Sequence, residues 1–372
     1  MRILHLVNHC MHGGNVIVPV DLACMQAADA HDVVYASAGG RYEQLLCVSG
    51  ARHVTLQQSL RNPLQATASV TSLYRLCREF RPSILHAHMM SGAVIGYAVS
   101  RLLHLPLVTT VHNSFDSHSR FMRLGDQVVA VSHAEARLLK AQGYDPRRLH
   151  VILNGTIGSP RESAMAENST LSIQRPCIVT ACGLEMRKGV DTLIEAFHIL
   201  GAKADHWHLY IAGDGPERRK LEALAGGRGL TRRIHFLGHL PSSRPLLDRA
   251  DIFVLSSRME PFGLSMAEAR SAGCAVVGTN VGGIPEVMDH GIAGILVPPD
   301  EPSSLAEALL ELVRNPAALL AARQRSKANI NRFNLKRVAE EYMRVYEYSI
   351  ARRTKPNGKA TAAKLGMSRN TQ

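Results

Sequence analysis

Two glutamates eight positions apart form the pattern in this sequence that most directly indicates ligand binding. Glu260 and Glu268 lie in the stretch "MEPFGLSMAEARSAG", with a proline and a glycine between them. The apolar run "ADIFVLSS" before them predicts a buried strand, and Gly273 marks a helix end, so we predict a helix from Leu264 to Ala272. Glu260 would lie in the loop before this helix, and Glu268 on the face of its first turn.

The start of the predicted helix has a chemistry of its own. The run "CAVVGT" follows it and predicts a second strand. In open α/β sheets, ligands bind beyond the carboxyl ends of the strands, where this helix would begin. Unpaired N–H groups at Gly263, Leu264 and Ser265 would attract phosphate, and the two carboxylates would accept hydroxyl hydrogen bonds on either side. A nucleotide sugar has that layout; alternatively, both glutamates are ordinary solvated charges.

Glycine-rich or basic loops follow several other predicted strands. In "HGGN", Gly13 and Gly14 allow the backbone to approach a phosphate closely. "GDGP" and "NVGGIPEVM" are similar turns in the second half, and in "GLEMRKGV" Arg187 and Lys188 could clamp a diphosphate, unless they are simple surface charges. The absence of G-x-G-x-x-G and of a Walker P-loop argues against a plain dinucleotide-binding or kinase site.

Histidines close two predicted strands of the first half. His112 ends "LVTTVH", and His86 and His88 end "ILHAHM". We predict that His112 contacts a ligand, and we interpret His86 and His88 as ordinary core or edge residues. No set of His, Asp, Glu or Cys has the spacing of a metal site, so we expect no metal and no other cofactor.

Strand and helix patterns alternate along the whole chain. The predicted strands are "RILHLVN", "DVVYASA", "ILHAHM", "LVTTVH" and "QVVAVS" in the first half, then "CIVTACG", "HLYIAGDG", "IHFLGH", "IFVLSS", "AVVGTN" and "GILVPP". This alternation over 372 residues predicts two doubly wound, Rossmann-like α/β domains facing across a cleft. We place the domains at 1–160 and 171–330, with the boundary in the Gly-, Ser- and Asn-rich segment 154–170.

Charge is unevenly distributed around a formal net value of +12. Residues 1–150 hold 14 Lys and Arg against 9 Asp and Glu, and the tail 352–372 holds six Lys and Arg and no acid. These segments suit an anionic membrane surface or a nucleic acid, or serve solubility alone. The composition of the tail predicts disorder. Seven dispersed cysteines favour a reducing, cytoplasmic compartment, and no apolar segment is long enough for a membrane span.

In combination, the second-half motifs resemble the retaining glycosyltransferases of family four, which have the two-domain GT-B fold. The resemblance is carried by "GLEMRKGVDTLIEAF", "IAGDGPERRKLEALA", "IHFLGHL" and the run from "ADIFVLSSRMEPFG" to "SSLAEALLELV". The spacing of Glu260 and Glu268 matches the E-x7-E signature of that family. "HGGN", "VHNS", "VAVSHAEARLL" and "VILNGT" are weaker markers, and "FNLKRVAEEYMRVYEYSI" is similar to a C-terminal helix, at 331–350, that crosses back to the first domain.

The resemblance implies a role for each matching residue. Glu260 would contact hydroxyls of the donor sugar, Glu268 the ribose, and His112 would orient or stabilise the reacting centre. The other implied donor contacts are Gly14 and Lys188 at the diphosphate, the backbone of Phe262, Gly263, Leu264 and Ser265 at the sugar and diphosphate, and the backbone of His239 and Leu240 at the base.

One position departs from the family pattern. The family usually carries an arginine five positions before the lysine, where this chain has Gly183. Stabilisation of the diphosphate would then depend on Lys188 and backbone amides, unless Arg187 replaces the absent arginine.

We therefore predict a retaining hexosyltransferase that moves a sugar from a nucleotide-sugar donor to a hydroxyl of a cell-surface glycan, such as a polysaccharide or lipopolysaccharide, or of a lipid-linked acceptor. It would work in the cytoplasm, at the inner face of the membrane, without nucleic acid. The alternatives are a sugar-nucleotide epimerase of GT-B fold, a basic nucleic-acid-binding protein, and a catalytically inactive scaffold. The aromatic content of 5%, without interleaved basic residues, disfavours nucleic-acid binding.

Overall fold

The computed structural model describes residues 1–11, 13–161 and 171–354. They form two compact units. The first unit comprises Met1–Val131, Ala136–Leu153 and the chain from Leu335, and the second comprises Ser132–Glu135 and Asn154–Asn334. The long stretch of the second unit begins at Asn154, which is also the first residue of the predicted boundary segment. Residues 162–170 of that segment lie outside the described residues.

The first unit contains a seven-stranded parallel sheet in the order β3-β2-β1-β4-β5-β6-β7. Its strands are β1 (Arg2–Leu6), β2 (Asp32–Ser37), β3 (Arg52–Thr55), β4 (Ile84–Ala87), β5 (Leu107–Val111), β6 (Gln127–Ala130) and β7 (Leu149–Val151). The five strands predicted from apolar runs are confirmed. The two that the sequence patterns missed, β3 and β7, are short edge strands whose half-exposed residues form no apolar run.

Helices connect these strands. They are α1 (Gly14–Ala28), α2 (Glu43–Val48), α3 (Pro63–Phe80), α4 (Met90–Leu102) and α5 (His133–Ala141), with a 3-10 segment at Ser117–Leu124. Local chemistry sets their ends: in α3, the Asn62 side chain accepts a hydrogen bond from the Gln65 N–H at 2.9 Å, and Arg81 ends the helix in the left-handed conformation.

The second unit contains a six-stranded parallel sheet in the order β10-β9-β8-β11-β12-β13. Its strands are β8 (Cys177–Ala181), β9 (His208–Ala212), β10 (Ile234–Gly238), β11 (Ile252–Leu255), β12 (Ala275–Thr279) and β13 (Ile295–Val297). All six predicted strands of this half are confirmed. The helices are α6 (Val190–Leu200), α7 (Arg218–Gly227), α8 (Arg244–Leu247), α9 (Leu264–Ala272), α10 (Ile284–Val287), α11 (Pro302–Arg314) and α12 (Pro316–Ser326).

The strand order reverses between β1 and β4 in the first unit and between β8 and β11 in the second. Connections from these neighbouring strands leave toward opposite faces of the sheet, which opens a crevice at their carboxyl ends. The loops after β8 and β11 therefore meet at the one edge where an α/β sheet accommodates a ligand.

The C-terminal helix α13 (Leu335–Thr354) packs against α1 in the first unit. The sequence pattern predicts it over 331–350, but Ile330–Phe333 form a separate 3-10 segment. The prediction that the tail starts at residue 352 is wrong, because Arg353 is still helical and its guanidinium donates to the Leu105 carbonyl and, at 2.7 Å, to Asp126. Residues 355–372 of the predicted tail lie outside the described residues.

Within the described ranges, no helix is both long enough and apolar enough to cross a membrane.

Candidate functional site

The loops after β8 and β11 bring two predicted site residues together. Lys188 ends the 3-10 segment Met186–Lys188, and Glu260 precedes α9. The Lys188 Nζ lies 2.5 Å from Glu260 Oε2, and the two side chains are only 12% and 9% exposed. Removal of either partner would leave an unpaired buried charge, so the pair joins the two loops.

Glu260 is held by further polar contacts. Ser257 Oγ donates to Glu260 Oε2 at 3.3 Å, and Thr279 Oγ1 donates to the Ser257 carbonyl at 2.6 Å. The bonds from Lys188 and Ser257 both reach Oε2, and no side chain or backbone group in the described ranges bonds Oε1. One carboxylate oxygen is therefore fixed, and the other keeps its capacity to accept a hydrogen bond.

The two glycines of "NVGGIPEVM" pack against the backbone of the loop that carries Glu260. Gly282 has φ +53°, and a Cβ there would lie 1.8 Å from the Glu260 carbonyl oxygen. The Gly283 N–H donates to that same oxygen at 2.9 Å. The sequence pattern indicated only a turn after a strand here, so Gly282, Ser257 and Thr279 were missed as site residues. Paired glycines were the available signal, but their partner is 22 positions away in the chain.

Helix α9 runs from Leu264 to Ala272, as predicted. Gly263 adopts φ +105° before it, and its carbonyl accepts from the N–H groups of Met266 and Ala267. The N–H groups of Gly263, Leu264 and Ser265 have no acceptor in the part of the chain that the structure describes. Three N–H donors and the positive end of the helix dipole thus follow Glu260 within five positions of the chain.

The other predicted residues near α9 have defined surroundings. Glu268 Oε2 accepts a hydrogen bond from Ser243 Oγ at 2.7 Å. The Phe262 ring is buried and packs edge-on against Phe333, with ring centroids 5.9 Å apart. Phe262 can therefore offer only its backbone to a ligand, and its contact with the donor stays a prediction.

Arg187 lies beside Lys188 but is differently engaged. Its Nε donates to Glu185 Oε2 at 2.6 Å, whereas Lys188 reaches Glu260. An added Cβ at Gly183 would meet only Glu185 Oε1 at 3.6 Å and the Asp214 carbonyl at 4.0 Å. The position has room for a larger side chain, so crowding at Cβ does not explain why the family's arginine is absent.

His239 and Leu240 follow β10 directly, His239 exposed and Leu240 half-buried. The end of this strand is held by the Gly213 N–H, which donates to the Gly238 carbonyl at 2.7 Å. A Cβ at Gly213 would lie 1.8 Å from the Cys182 carbonyl oxygen, so only glycine fits. The "GDGP" turn thereby fixes the position of the residues predicted to meet the base.

In the first unit, Gly14 is the exposed first residue of α1, and Gly13 precedes it with φ +105°. The N–H groups of Val16 and Ile17 both donate to the Gly13 carbonyl. This is a glycine-initiated helix start of the kind predicted for "HGGN"; His12 of that motif lies outside the described residues.

His112 follows β5 and is half-buried. Its Nε2 lies 3.1 Å from His88 Nδ1. Desolvation lowers the pKa of His112 to about 4, and burial lowers the pKa of His88 well below its usual range. At neutral pH, His112 is therefore an uncharged imidazole.

Three histidines from different strands or strand ends, His5, His86 and His88, come close enough to share a metal ion. Sequence spacing did not reveal this group. Each ring already uses both nitrogens in hydrogen bonds to one another or to neighbouring Gln, Thr, Tyr and His side chains. A second group of Cys10, Glu43 and His53 also has such bonds, since Glu43 accepts from the Gly40 N–H and His53 contacts Ser37.

Two family models match the chain. The family model "Glycosyltransferase Family 4" matches residues 12–156, and the family model "Glycosyl transferases group 1" matches residues 175–315. Three curated relatives are similar along much of their length. Glycogen synthase of Mycobacterium tuberculosis is 31% identical over 72% of this chain and 69% of the relative. N-acetyl-alpha-D-glucosaminyl L-malate synthase of Bacillus anthracis is 25% identical over 93% and 96%. The lipopolysaccharide core biosynthesis glycosyltransferase LpsD of Rhizobium meliloti is 25% identical over 75% and 79%.

These matches show that the chain belongs to glycosyltransferase family 4, which confirms the resemblance seen in its motifs. The crystal structure of Anabaena HepE in complex with UDP and glucose superposes with a TM-score of 0.80, at 21% identity, over 93% of this chain and 99% of that one. The predicted GT-B fold is confirmed by this likeness.

Gly282→Ala should lower transferase turnover by at least about 100-fold, because the added Cβ would displace the Glu260 carbonyl and the loop around it. Gly229 is a matched control: it also has a positive φ, but no atom lies within 4 Å of an added Cβ. Gly229→Ala should cost about 1 kcal/mol of stability from backbone strain and leave turnover intact. Wild-type turnover in folded Gly282→Ala would contradict the assigned role.

Acid should destabilise the first unit through its buried histidines. Burial lowers the pKa of His5 from 6.5 to about 4. Between these two pH values, the unfolded chain therefore binds a proton at His5 that the native state does not bind. The free energy of unfolding should therefore be highest above pH 6.5 and decrease as the pH drops toward 4. Chemical denaturation at several pH values measures this slope.

His88→Asn should flatten that slope, whereas replacement of the exposed His198 by Gln should leave it unchanged. Equal slopes in all three proteins would mean that the buried histidines do not cause the acid sensitivity.

Proposed function

We propose that this glycosyltransferase moves a hexose-type sugar from a nucleotide-sugar donor to an acceptor hydroxyl, with retention of the anomeric configuration. The observation that carries the proposal is the arrangement around Glu260. One of its oxygens is fixed by Lys188 and Ser257, and the other is left to accept. Three N–H groups without an acceptor among the described residues follow three to five positions later in the chain.

This arrangement suits a sugar diphosphate. The N–H groups at the start of α9 and the Lys188 ammonium would face the diphosphate, while Glu260 Oε1 accepts a hydrogen bond from a sugar hydroxyl. Negative charge grows on the leaving diphosphate as the glycosidic bond breaks, and preorganised donors stabilise that charge without reorganising. Lys188 and the helix start supply the positive potential that a divalent ion would otherwise provide, so we propose that the reaction needs no bound metal.

Retention follows, in this proposal, from attack on the face that the diphosphate leaves. Glu260 Oε2 is engaged by an ammonium and a hydroxyl, which lowers its power as a nucleophile. The acceptor hydroxyl would attack the cation-like sugar directly and pass its proton to the leaving phosphate. His112, Gly14, Glu268, His239 and Leu240 keep the donor-contact roles that the family resemblance implies.

We propose a uridine diphosphate sugar as the first donor to test and a cell-surface glycan or lipid-linked acceptor. The HepE complex supports the donor class, since that protein was crystallised with UDP and glucose. LpsD, a lipopolysaccharide core biosynthesis glycosyltransferase, supports the acceptor class. Thermal unfolding with UDP-, GDP- and ADP-sugars tests the donor, because a ligand at 100 times its Kd stabilises by about 2.7 kcal/mol. No shift with any nucleotide sugar would overturn the proposal.

Glu260→Ala should reduce transfer by at least about 100-fold, because the sugar loses its orienting acceptor, and should also lower the free energy of unfolding, because Lys188 loses its buried partner. Lys188→Ala should weaken both donor binding and turnover, and Arg187→Ala should cost less because its guanidinium is paired with Glu185. Transfer from a radiolabelled donor measures all three.

Glu307→Ala, on the exposed face of α11, is the matched control and should behave as wild type. A larger loss from Arg187→Ala than from Lys188→Ala would instead make Arg187 the substitute for the arginine absent at Gly183. Conversion of the donor sugar without an acceptor would favour the epimerase alternative.

We also propose that the protein docks peripherally on anionic membranes at the cytoplasmic face. The support is the excess of basic residues in 1–150 and in 352–372, while the middle of the chain is nearly neutral. Each basic residue near an anionic leaflet contributes about 1 kcal/mol. Sedimentation should therefore occur with anionic liposomes at low salt and weaken as salt is added. Equal sedimentation with neutral lipid would contradict electrostatic docking and would mean that the basic segments serve only solubility.

A further inference from the structure

A continuous line of hydrogen bonds leads from the interior of the first unit to His112. Gln26 Oε1 lies 2.8 Å from His5 Nε2, His5 Nδ1 lies 3.0 Å from His88 Nε2, and His88 Nδ1 lies 3.1 Å from His112 Nε2. Gln26, His5 and His88 are fully or almost fully buried. The line crosses the sheet from β1, past the end of β4, to the end of β5, so it links three neighbouring strands.

All members of this line are neutral at pH 7, because desolvation lowers the pKa of each imidazole and disfavours its charged form. A neutral imidazole carries one N–H and one lone pair. In a row of such rings, each donor must face an acceptor, so the direction of one bond sets the direction of all the others.

Gln26 sets that direction. Its Nε2 donates to the Tyr346 hydroxyl at 3.4 Å, which leaves Oε1 facing His5 as an acceptor. The Tyr346 hydroxyl in turn lies 2.6 Å from His86 Nδ1 and can donate to it. His5 therefore carries its proton on Nε2, and its Nδ1 accepts from His88.

The alternation of donor and acceptor continues from His5 to His88 and from His88 to His112. His88 donates from Nε2, so its Nδ1 accepts from the Nε2–H of His112. This leaves the proton of His112 on Nε2 and a lone pair on Nδ1, which has no hydrogen-bond partner within residues 1–11, 13–161 and 171–354.

We propose that Gln26, His5 and His88 are positioning residues that hold His112 as the Nε2–H tautomer, with Nδ1 presented outward as a hydrogen-bond acceptor. A hydroxyl can donate a hydrogen bond to Nδ1, whereas an ionised phosphate oxygen or carboxylate has no hydrogen to donate. Its use in the reaction rests on the proposed function, in which His112 meets the donor sugar, but the tautomer itself does not.

Histidine ring 15N NMR of the full chain tests the proposal directly. His112 should show a protonated, pyrrole-like Nε2 and an unprotonated, pyridine-like Nδ1, identified by loss of the signals in His112→Gln. Gln26→Leu removes the terminal acceptor at similar size and should convert His112 to a mixture of tautomers. kcat/KM for the donor should fall by about tenfold, the equivalent of one neutral hydrogen bond.

Gln58→Leu is the matched control. Gln58 is also a buried glutamine of the first unit, but its amide donates to the carbonyls of Val7 and Ala36 and takes no part in the line. Its replacement should lower stability comparably, leave the His112 signals unchanged and leave kcat/KM within about twofold of wild type.

Two variants of His88 test the same proposal if Gln26→Leu does not fold. His88→Asn retains an oxygen near the place of Nδ1 and should preserve the His112 tautomer, whereas His88→Leu should release it. A proton on Nδ1 of His112 in the wild type, or unchanged signals in the folded Gln26→Leu and His88→Leu variants, would overturn the proposal. Altered signals with undiminished turnover would instead confirm the tautomer control and refute the role of His112 at the sugar.

Discussion

The ion pair between Lys188 and Glu260 is the interaction on which the second unit's candidate site depends. Both side chains are nearly removed from water, and a lone buried charge in either place would be strongly destabilising. The pairing constrains the loops after β8 and β11 together, because each loop carries one of the charges. Gly282, Thr279 and Ser257 then act on the same loop, through a close backbone approach and two hydrogen bonds.

The predicted site residues Lys188 and Glu260 of the second unit are charged, whereas His112 of the first unit is neutral. In the second unit, a cation, a carboxylate and a helix start provide fixed charge and backbone donors for an anionic ligand. In the first unit, burial keeps a set of histidines neutral, and the order of their hydrogen bonds determines which ring atom His112 offers. In the proposed reaction, the charges of the second unit would hold the diphosphate, and the neutral Nδ1 atom of His112 would accept a hydrogen bond from a hydroxyl.

Local sequence features predicted all six strands of the second half and the bounds of α9: the buried strands show as short apolar runs, and Gly273 marks the end of the helix. They missed β3 and β7, whose half-exposed edge residues carry no such pattern. They also placed Arg353 in the tail. In the structure, Arg353 is helical and contacts Leu105 and Asp126, more than 200 positions away in the chain.

Local residue patterns were enough to indicate the family and the alternation of strands and helices, and to predict phosphate binding at the start of α9. Each of these is a matter of residues within about one turn or one strand of each other. The partners of the buried polar side chains are visible only in the folded chain: Lys188 and Glu260 are 72 positions apart, and His5 and His88 are 83 apart. Pairings of that kind depend on strand order and on which side chains the sheet removes from water. Neither property is encoded in the spacing of any single segment, so the line of hydrogen bonds behind His112 could not be predicted from "ILHAHM" alone.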